Sequence, residues 1–343
     1  MNLKKSVVVI TGASSGIGRA TALAVAKKGA IVVLASRQEN ILNEIARECE
    51  SFGTRALAVK TDVTNEEDVK RLAAEAIARF GHIDVWINNA AVMAFGRFEE
   101  TPNETYDRVI QTNVFGYIYG ARSAIRHFRN RGRGTLINVS SVASKIGGPY
   151  SSAYNTSKFA ISGFSESLRM ELNDCPHISV SNVMPASIDT PLFQHAANYM
   201  GLAVQPMKPV YDARSVARVI IKCIQRPRRE VFVGTSARAI SLAHKLTPSV
   251  IEKYYPKMVL KNHFQARTAR PSDGNLFEPL PVSIKGGWKG KDTRRSTFLF
   301  AALLAVTTGF VTYRSRQRRG RETPLRDDTI LITEEIQPVQ LGI

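Results

Sequence analysis

A chain of 343 residues, 44% hydrophobic and 22% charged, has the make-up of a folded globular protein and excludes a wholly disordered one. Its formal net charge of +18 calls for an anionic partner or surface, but no zinc-ligand spacing or RNA-binding aromatic signature accompanies it, so nucleic acid is not expected. Residues 205–270 carry fourteen Lys and Arg against three acidic residues, a local excess of +11 that favours an anionic membrane surface. Cys49, Cys175 and Cys223 are odd in number and widely spaced, which excludes a disulfide framework and fits a reducing compartment. Lys4 and Lys5 precede an apolar run that stops at Thr11-Gly12, too short for a signal peptide.

Short apolar runs alternate with helical patterns. Residues 7–10 are fully apolar, as in a central parallel strand covered on both faces. A helix follows over 17–28 and ends at Gly29; a second strand spans 31–35, and a helix over 39–52 closes at Gly53. The third strand is 56–59. Thr64 and Glu67 have the spacing of a capping box for a helix reaching Phe80, before a fourth strand at 83–87. Thr101 and Glu104 repeat that spacing, with Pro102 at the first helical position of a long helix ending near Gly132. Strands at 136–139, 178–183 and 231–233 alternate with helices at 152–172 and 216–225. The expectation is α/β: a doubly wound parallel sheet of seven strands over residues 1–235, followed by a helical C-terminal extension.

Thr11–Gly18 lies between the first strand and the first helix. Gly12 permits a tight turn, Gly16 lets backbone approach a pyrophosphate, and Gly18 lets the helix pack on the sheet. Ser14, Ser15 and Ile17 complete a helix N-terminus whose free amides face phosphate. The spacing TGxxxGIG, with Asp62-Val63, Asn88-Asn89-Ala90 and Tyr154-Asn155-Thr156-Ser157-Lys158, resembles the short-chain dehydrogenase/reductase family over residues 5–233. Ala91 and Ala186 stand where that family usually has glycine. The resemblance implies a nicotinamide cofactor, with Asp62 on the adenine amino group, Val63 and Asn89 beside it, and Pro185, Ile188 and Thr190 holding the carboxamide. Ser36-Arg37 ends the second strand without the acid that would bond a ribose 2′-hydroxyl, and Arg37 can pair with a 2′-phosphate, so NADP is expected. A solvated surface arginine is the other reading of Arg37.

Tyr154 and Lys158 are four apart on one helix face. A lysine ammonium and a positive nicotinamide would lower the phenol pKa toward working pH. Ser141, thirteen residues before Tyr154, is the expected partner of the substrate oxygen, with Ser140 the alternative. The resemblance completes a tetrad with Asn113, anchoring a water that links Lys158 to solvent; a satisfied polar helix residue is the plainer reading. No metal site is expected.

Apolar residues after Pro191, among them Leu192, Phe193, Met200 and Met207, suit either a lid over a lipophilic substrate or an ordinary packed loop. Residues 236–270 read as a basic, partly helical extension and 271–296 as a Pro/Gly-rich linker. Residues 297–313 form an uncharged apolar run with basic flanks, a candidate membrane helix, and 314–343 a flexible polar tail. The chain is thus expected to be a membrane-associated oxidoreductase with a cytosolic catalytic domain, as a homodimer or homotetramer by family resemblance. The rival from another class is a catalytically silent NADP-sensing regulatory or membrane scaffold protein on the same fold.

Overall fold

The computed structural model describes residues 2–280 and 285–288. Seven strands, β1 (Val7–Thr11), β2 (Ile31–Ser36), β3 (Ala56–Lys60), β4 (Val85–Asn88), β5 (Gly134–Val139), β6 (Ile178–Pro185) and β7 (Glu230–Val233), form one sheet in the order β7-β6-β5-β4-β1-β2-β3. Every pairing in it is parallel. Strand order reverses between β1 and β4, and that is where such sheets open a crevice at their carboxyl ends.

The central strands β1 and β2 are almost wholly apolar because both faces are covered. Val8 and Ile10 of β1 join one core with Val25, Leu42, Ile45 and Ile220. They lie under α1 (Gly16–Ala26), α2 (Glu39–Glu50) and, later in the chain, Ala213–Gln225. Val7 and Val9 point the other way, into a core with Val69, Leu72, Ala124 and Phe128. Those belong to α3 (Glu66–Phe80) and to Gly116–Arg131. Each fully buried aliphatic side chain contributes about 1.5–3 kcal/mol, so this two-sided pattern is the main restraint on strand register.

Two expected capping boxes do not form. Asn65 caps α3, its side chain accepting from the amides of Glu67 and Asp68. Thr64 is instead turned to Asp62, whose Oδ1 it meets at 2.8 Å. Thr101 donates to the Arg97 carbonyl, and α4 (Asn103–Ile110) begins without a side-chain cap. The long helix expected after Pro102 is interrupted: Gln111–Phe115 is a π turn, in which the Gly116 amide bonds the Gln111 carbonyl five residues back, before α5 (Gly116–Arg131). Such turns recur at functional sites.

Beyond the sheet, α6 (Ser152–Glu171) and α7 (Ala213–Gln225) precede α8 (Thr235–Leu246) and α9 (Pro248–His263). The extension thus contains two full helices, followed by Phe264–Thr268, which pairs antiparallel with Leu202–Val204. The stretch read as a linker runs close to the body: Ser272 bridges Asn198, and Leu276 is fully buried. The candidate membrane helix at 297–313 and the tail at 314–343 lie outside the described residues. Among the described residues no helix is long and apolar enough to cross a membrane.

Candidate active site

The β1–α1 turn is held from below by β4. Gly12 has φ +64° and Gly16 φ +49°, where side chains are strained. A Cβ on Gly18 would meet the Gly12 carbonyl at 2.1 Å, so Gly18 serves the packing of helix on turn. The Thr11 hydroxyl accepts from the amides of Asn89 and Ala90. The Asn89 side chain donates to the carbonyls of Thr11 (2.9 Å) and Gly12 (3.2 Å). Asn89 therefore spends its amide on fixing the turn while it lines the cleft.

That cleft brings together Gly12, Ser14, Ser15, Gly16, Ile17, Ser36, Arg37, Asp62, Val63, Asn89, Tyr154, Lys158 and Thr190. Pro185 and Ile188 line a neighbouring cavity instead, and Asn113 lines neither. The residues present fit an adenosine pyrophosphate. The α1 N-terminus has no side-chain cap, and the Asn275 Oδ1 at the cleft wall is buried without a hydrogen-bond partner.

At the far end of the cleft, Arg37 is not a solvated side chain. Its guanidinium donates to the carbonyls of Asn275 (2.7 Å), Leu276 (3.1 Å) and Phe277 (2.8 Å). Burial lowers its pKa, with Asp62 acting in the opposite sense. Arg108, which belongs to no recognisable motif, donates to Asp62 at 2.8 Å, to the Thr64 hydroxyl at 2.8 Å and to the Leu276 carbonyl at 2.9 Å. These bonds, with those from Thr64, hold the Asp62 carboxyl below its ordinary range against the opposing effect of burial.

At the near end, Ser141 leaves β5 and Tyr154 and Lys158 rise from the first turns of α6. The Ser141 hydroxyl lies near enough to the Tyr154 phenol to lower its pKa, and it accepts from the Ala143 amide at 3.1 Å. Ser140 lies 3.4 Å from the Lys158 carbonyl, so of the two serines it is Ser141 that meets the phenol. Lys158 is 1% exposed; its Nζ donates to the Val139 carbonyl at 3.2 Å and lies 5.4 Å from the centre of the Tyr154 ring. Burial drives its pKa down to about 7. Burial also pushes the Tyr154 phenol up to about 12, only partly offset by Ser141. The lowered phenol pKa expected from the sequence is therefore not a property of the protein alone, because desolvation of the phenol dominates.

Asn113 sits on the π turn, fully buried. Its Oδ1 accepts from the Val92 amide at 2.9 Å, and its Nδ2 donates to the Val92 carbonyl and to Ser157 Oγ at 3.0 Å. Its side chain is thus fully committed to tying the strand-4 loop to α6.

The neighbouring cavity begins at Ser141 and Tyr154 and is walled by Met93, Ile146, Phe193, Met207, Ile240 and Val259. Tyr255, Met258 and His263 of α9 also line it, so the basic extension supplies this wall. The His263 Nδ1 lies 2.8 Å from the Gln205 carbonyl, and burial drives the imidazole pKa down to about 4. Among the described residues no His/Cys/Asp/Glu group could hold a metal ion.

A glycine turn for phosphate at one end and a buried phenol–serine–amine cluster at the other are the parts of a nucleotide-dependent oxidoreductase. The comparisons with known proteins narrow this. The model of the short chain dehydrogenase family matches residues 6–200, and the chain belongs to that family. It is an oxidoreductase whose family works on CH–OH and C=O groups. It is 40% identical to an uncharacterized oxidoreductase, YxnA, of Bacillus subtilis (strain 168), over 92% of each chain. It is 36% identical to 11-beta-hydroxysteroid dehydrogenase A of Sesamum indicum over 74% of this chain and 75% of that one. Among solved structures, a Burkholderia phymatum short chain dehydrogenase/reductase in complex with NAD superposes with a TM-score of 0.65 at 25% identity, covering 79% of this chain and 100% of that one. An alcohol dehydrogenase from the archaeon Thermococcus sibiricus, complexed with 5-hydroxy-NADP, gives 0.60 at 26% identity, covering 67% and 96%.

Proposed function

We propose that this chain is an NADP-dependent oxidoreductase that interconverts a ketone and an alcohol on a lipophilic substrate. The observation that carries the reading is the position of Tyr154, which lines both cavities between Ser141 and Lys158. The nicotinamide cofactor, when bound, supplies or accepts the hydride. Ser141 holds the substrate oxygen, and Tyr154 donates the proton to it in the reduction direction. A phenol pushed up to about 12 keeps its proton until that oxygen receives it. Lys158, held by the Val139 carbonyl, orients the phenol side of the site and is placed to bond the nicotinamide ribose. Asn113 acts as a positioning residue through Val92 and Ser157; a water relay would have to use its main chain. Gly12, Ser14, Ser15, Gly16 and Ile17 seat the pyrophosphate, with Gly18 beneath them.

NADP over NAD is supported by Arg37 and by the absence of an acid at the end of β2. The related structures carry cofactors of both kinds, so the residues decide. The lipophilic substrate is supported by the apolar cavity walls and by the relative named as a hydroxysteroid dehydrogenase. Membrane attachment rests on the sequence alone, through the apolar run at 297–313 and the basic stretch before it. Its check is fractionation: the full-length chain stays with membranes in high salt and comes off only in detergent, whereas release by salt removes the anchor from the reading.

The reaction is tested with Tyr154→Phe, which keeps the ring and removes the proton donor. NADPH binding should stay near wild type, and kcat should fall by about 10²–10⁴. An ordinary kcat would remove Tyr154 from the mechanism.

A further inference from the structure

We infer that the C-terminal segment Asn275–Leu280 is part of the cofactor site, contributing the Asn275 amide to the adenosine and holding Arg37 and Arg108 together as the receptor for its 2′-phosphate. This rests on the cofactor reading above and adds residues that lie beyond the family match at 6–200.

Four observations lead there. Asn275, Pro279 and Leu280 line the same cleft as the β1–α1 turn. The Asn275 Oδ1 is buried there with no partner, an acceptor waiting for an N–H or O–H donor such as the adenine amino group or a ribose hydroxyl. The segment is seated, since Leu276 is fully buried and Gln38 Nε2 donates to the Leu280 carbonyl at 3.0 Å. Finally, two guanidinium groups converge on one atom: Arg37 Nη1 and Arg108 Nε both donate to the Leu276 carbonyl, at 3.1 and 2.9 Å.

That convergence is unusual on electrostatic grounds. Arg37 and Arg108 repel, and each is felt against the Asp62 carboxylate. Asp62 is the carboxylate hydrogen-bonded to Arg108, Glu278 of the segment also acts on Arg37, and neutral carbonyls make up the rest of the coordination. Arg37 spends both Nη1 hydrogens and one Nη2 hydrogen on the segment, and its Nε–H and second Nη2 hydrogen remain. Arg108 keeps one hydrogen on each Nη. The spare donors suit the several oxygens of a phosphate monoester, which can accept more of them than a single ribose 2′-hydroxyl can. The segment thus fixes two flexible side chains before the ligand arrives, which lowers the ordering cost of binding.

The test uses the full-length protein and two nucleotides without nicotinamide, adenosine 2′,5′-bisphosphate and adenosine 5′-monophosphate, with binding read by calorimetry. Wild type should bind the bisphosphate at least tenfold more tightly. Asn275→Ala should weaken both nucleotides alike, by about 2–10-fold, because both carry the adenosine. Leu276→Ala, which loosens the seat, should weaken the bisphosphate by about tenfold and the monophosphate by no more than twofold. If wild type binds both nucleotides equally, the NADP reading fails; Asn275→Ala then still decides whether the segment belongs to the site. If neither substitution alters either affinity, the segment has no part in cofactor binding. Equal losses on Leu276→Ala overturn the phosphate role. Circular dichroism of both variants confirms that the fold is kept, and Asn275→Ala, at a partly exposed position, serves if Leu276→Ala does not fold.

Discussion

The two cavities that meet at Tyr154 are made in different ways. The cofactor cleft is lined mainly by residues at the ends of β1 to β4, where backbone amides, serines and charged groups gather. The substrate cavity is walled by apolar side chains from segments far apart in the chain, from Met93 to Val259. Phosphate recognition needs backbone geometry, which a short local motif can encode. Substrate shape needs only packed volume, which many sequences supply. One phenol therefore joins a half built from local motifs to a half built from long-range packing.

The sharpest way to break this comparison is at the joint. Lys158→Ala should cut turnover by 10²-fold or more, an order of magnitude typical of lost acid–base assistance, and should weaken cofactor binding as well, because Lys158 lies on the cofactor cleft. A variant with normal NADPH affinity would confine the lysine to the phenol. On the polar side, Arg37→Ala should raise the NADPH dissociation constant by about 1.5–3 kcal/mol and leave NADH nearly unchanged. Equal losses would mean that Arg37 acts only through the segment it holds. On the apolar side, Met258→Ala should raise KM for a bulky ketone by about tenfold or less with little change in kcat, as expected when uniform binding is lost. A kcat effect without a KM effect would place Met258 nearer the chemistry than the cavity does.

A separate effect is on stability. The folded pKa of Lys158 is depressed, to about 7 from 10.5. Between those values the unfolded chain binds more protons than the folded one, so the cofactor-free protein should gain stability as pH rises from 7 toward 10. Above the ordinary tyrosine value of 10.0 the raised phenol of Tyr154 acts in the opposite sense. Lys158→Met should flatten the rise in melts recorded from pH 7 to 10. An unchanged slope would show that the amine is not buried uncharged.

Much of the first half was legible because its signals are local. Strands buried on both faces read as apolar runs, and a glycine turn between strand and helix has few other uses. The misreadings came where two local options compete. Thr64 could have capped α3, but Asp62 offers it a stronger acceptor two residues away, and Asn65 took the cap. The π turn at Asn113 leaves no mark in hydrophobic spacing. Arg108 was invisible because its partners Asp62 and Leu276 lie 46 and 168 residues away. The segment near Leu276 has the Pro and Gly content of a linker, since a chain following an uneven surface needs the same turns as one crossing solvent; only the burial of Leu276 separates them. Tyr154 can be singled out from its spacing to Lys158, but its pKa depends on burial, which no spacing encodes.

The central claim is that this site turns over a carbonyl rather than sensing a nucleotide. The direct measurement presents wild-type protein with NADPH, and separately NADH, together with a panel of lipophilic ketones, and follows cofactor oxidation alongside loss of the carbonyl. The account predicts multiple turnovers with NADPH on at least one apolar ketone, one alcohol formed per cofactor oxidised, and far slower consumption of NADH. Tight NADPH binding with no turnover of any ketone, or of any matching alcohol with NADP, would contradict it and leave the nucleotide-sensing protein in its place.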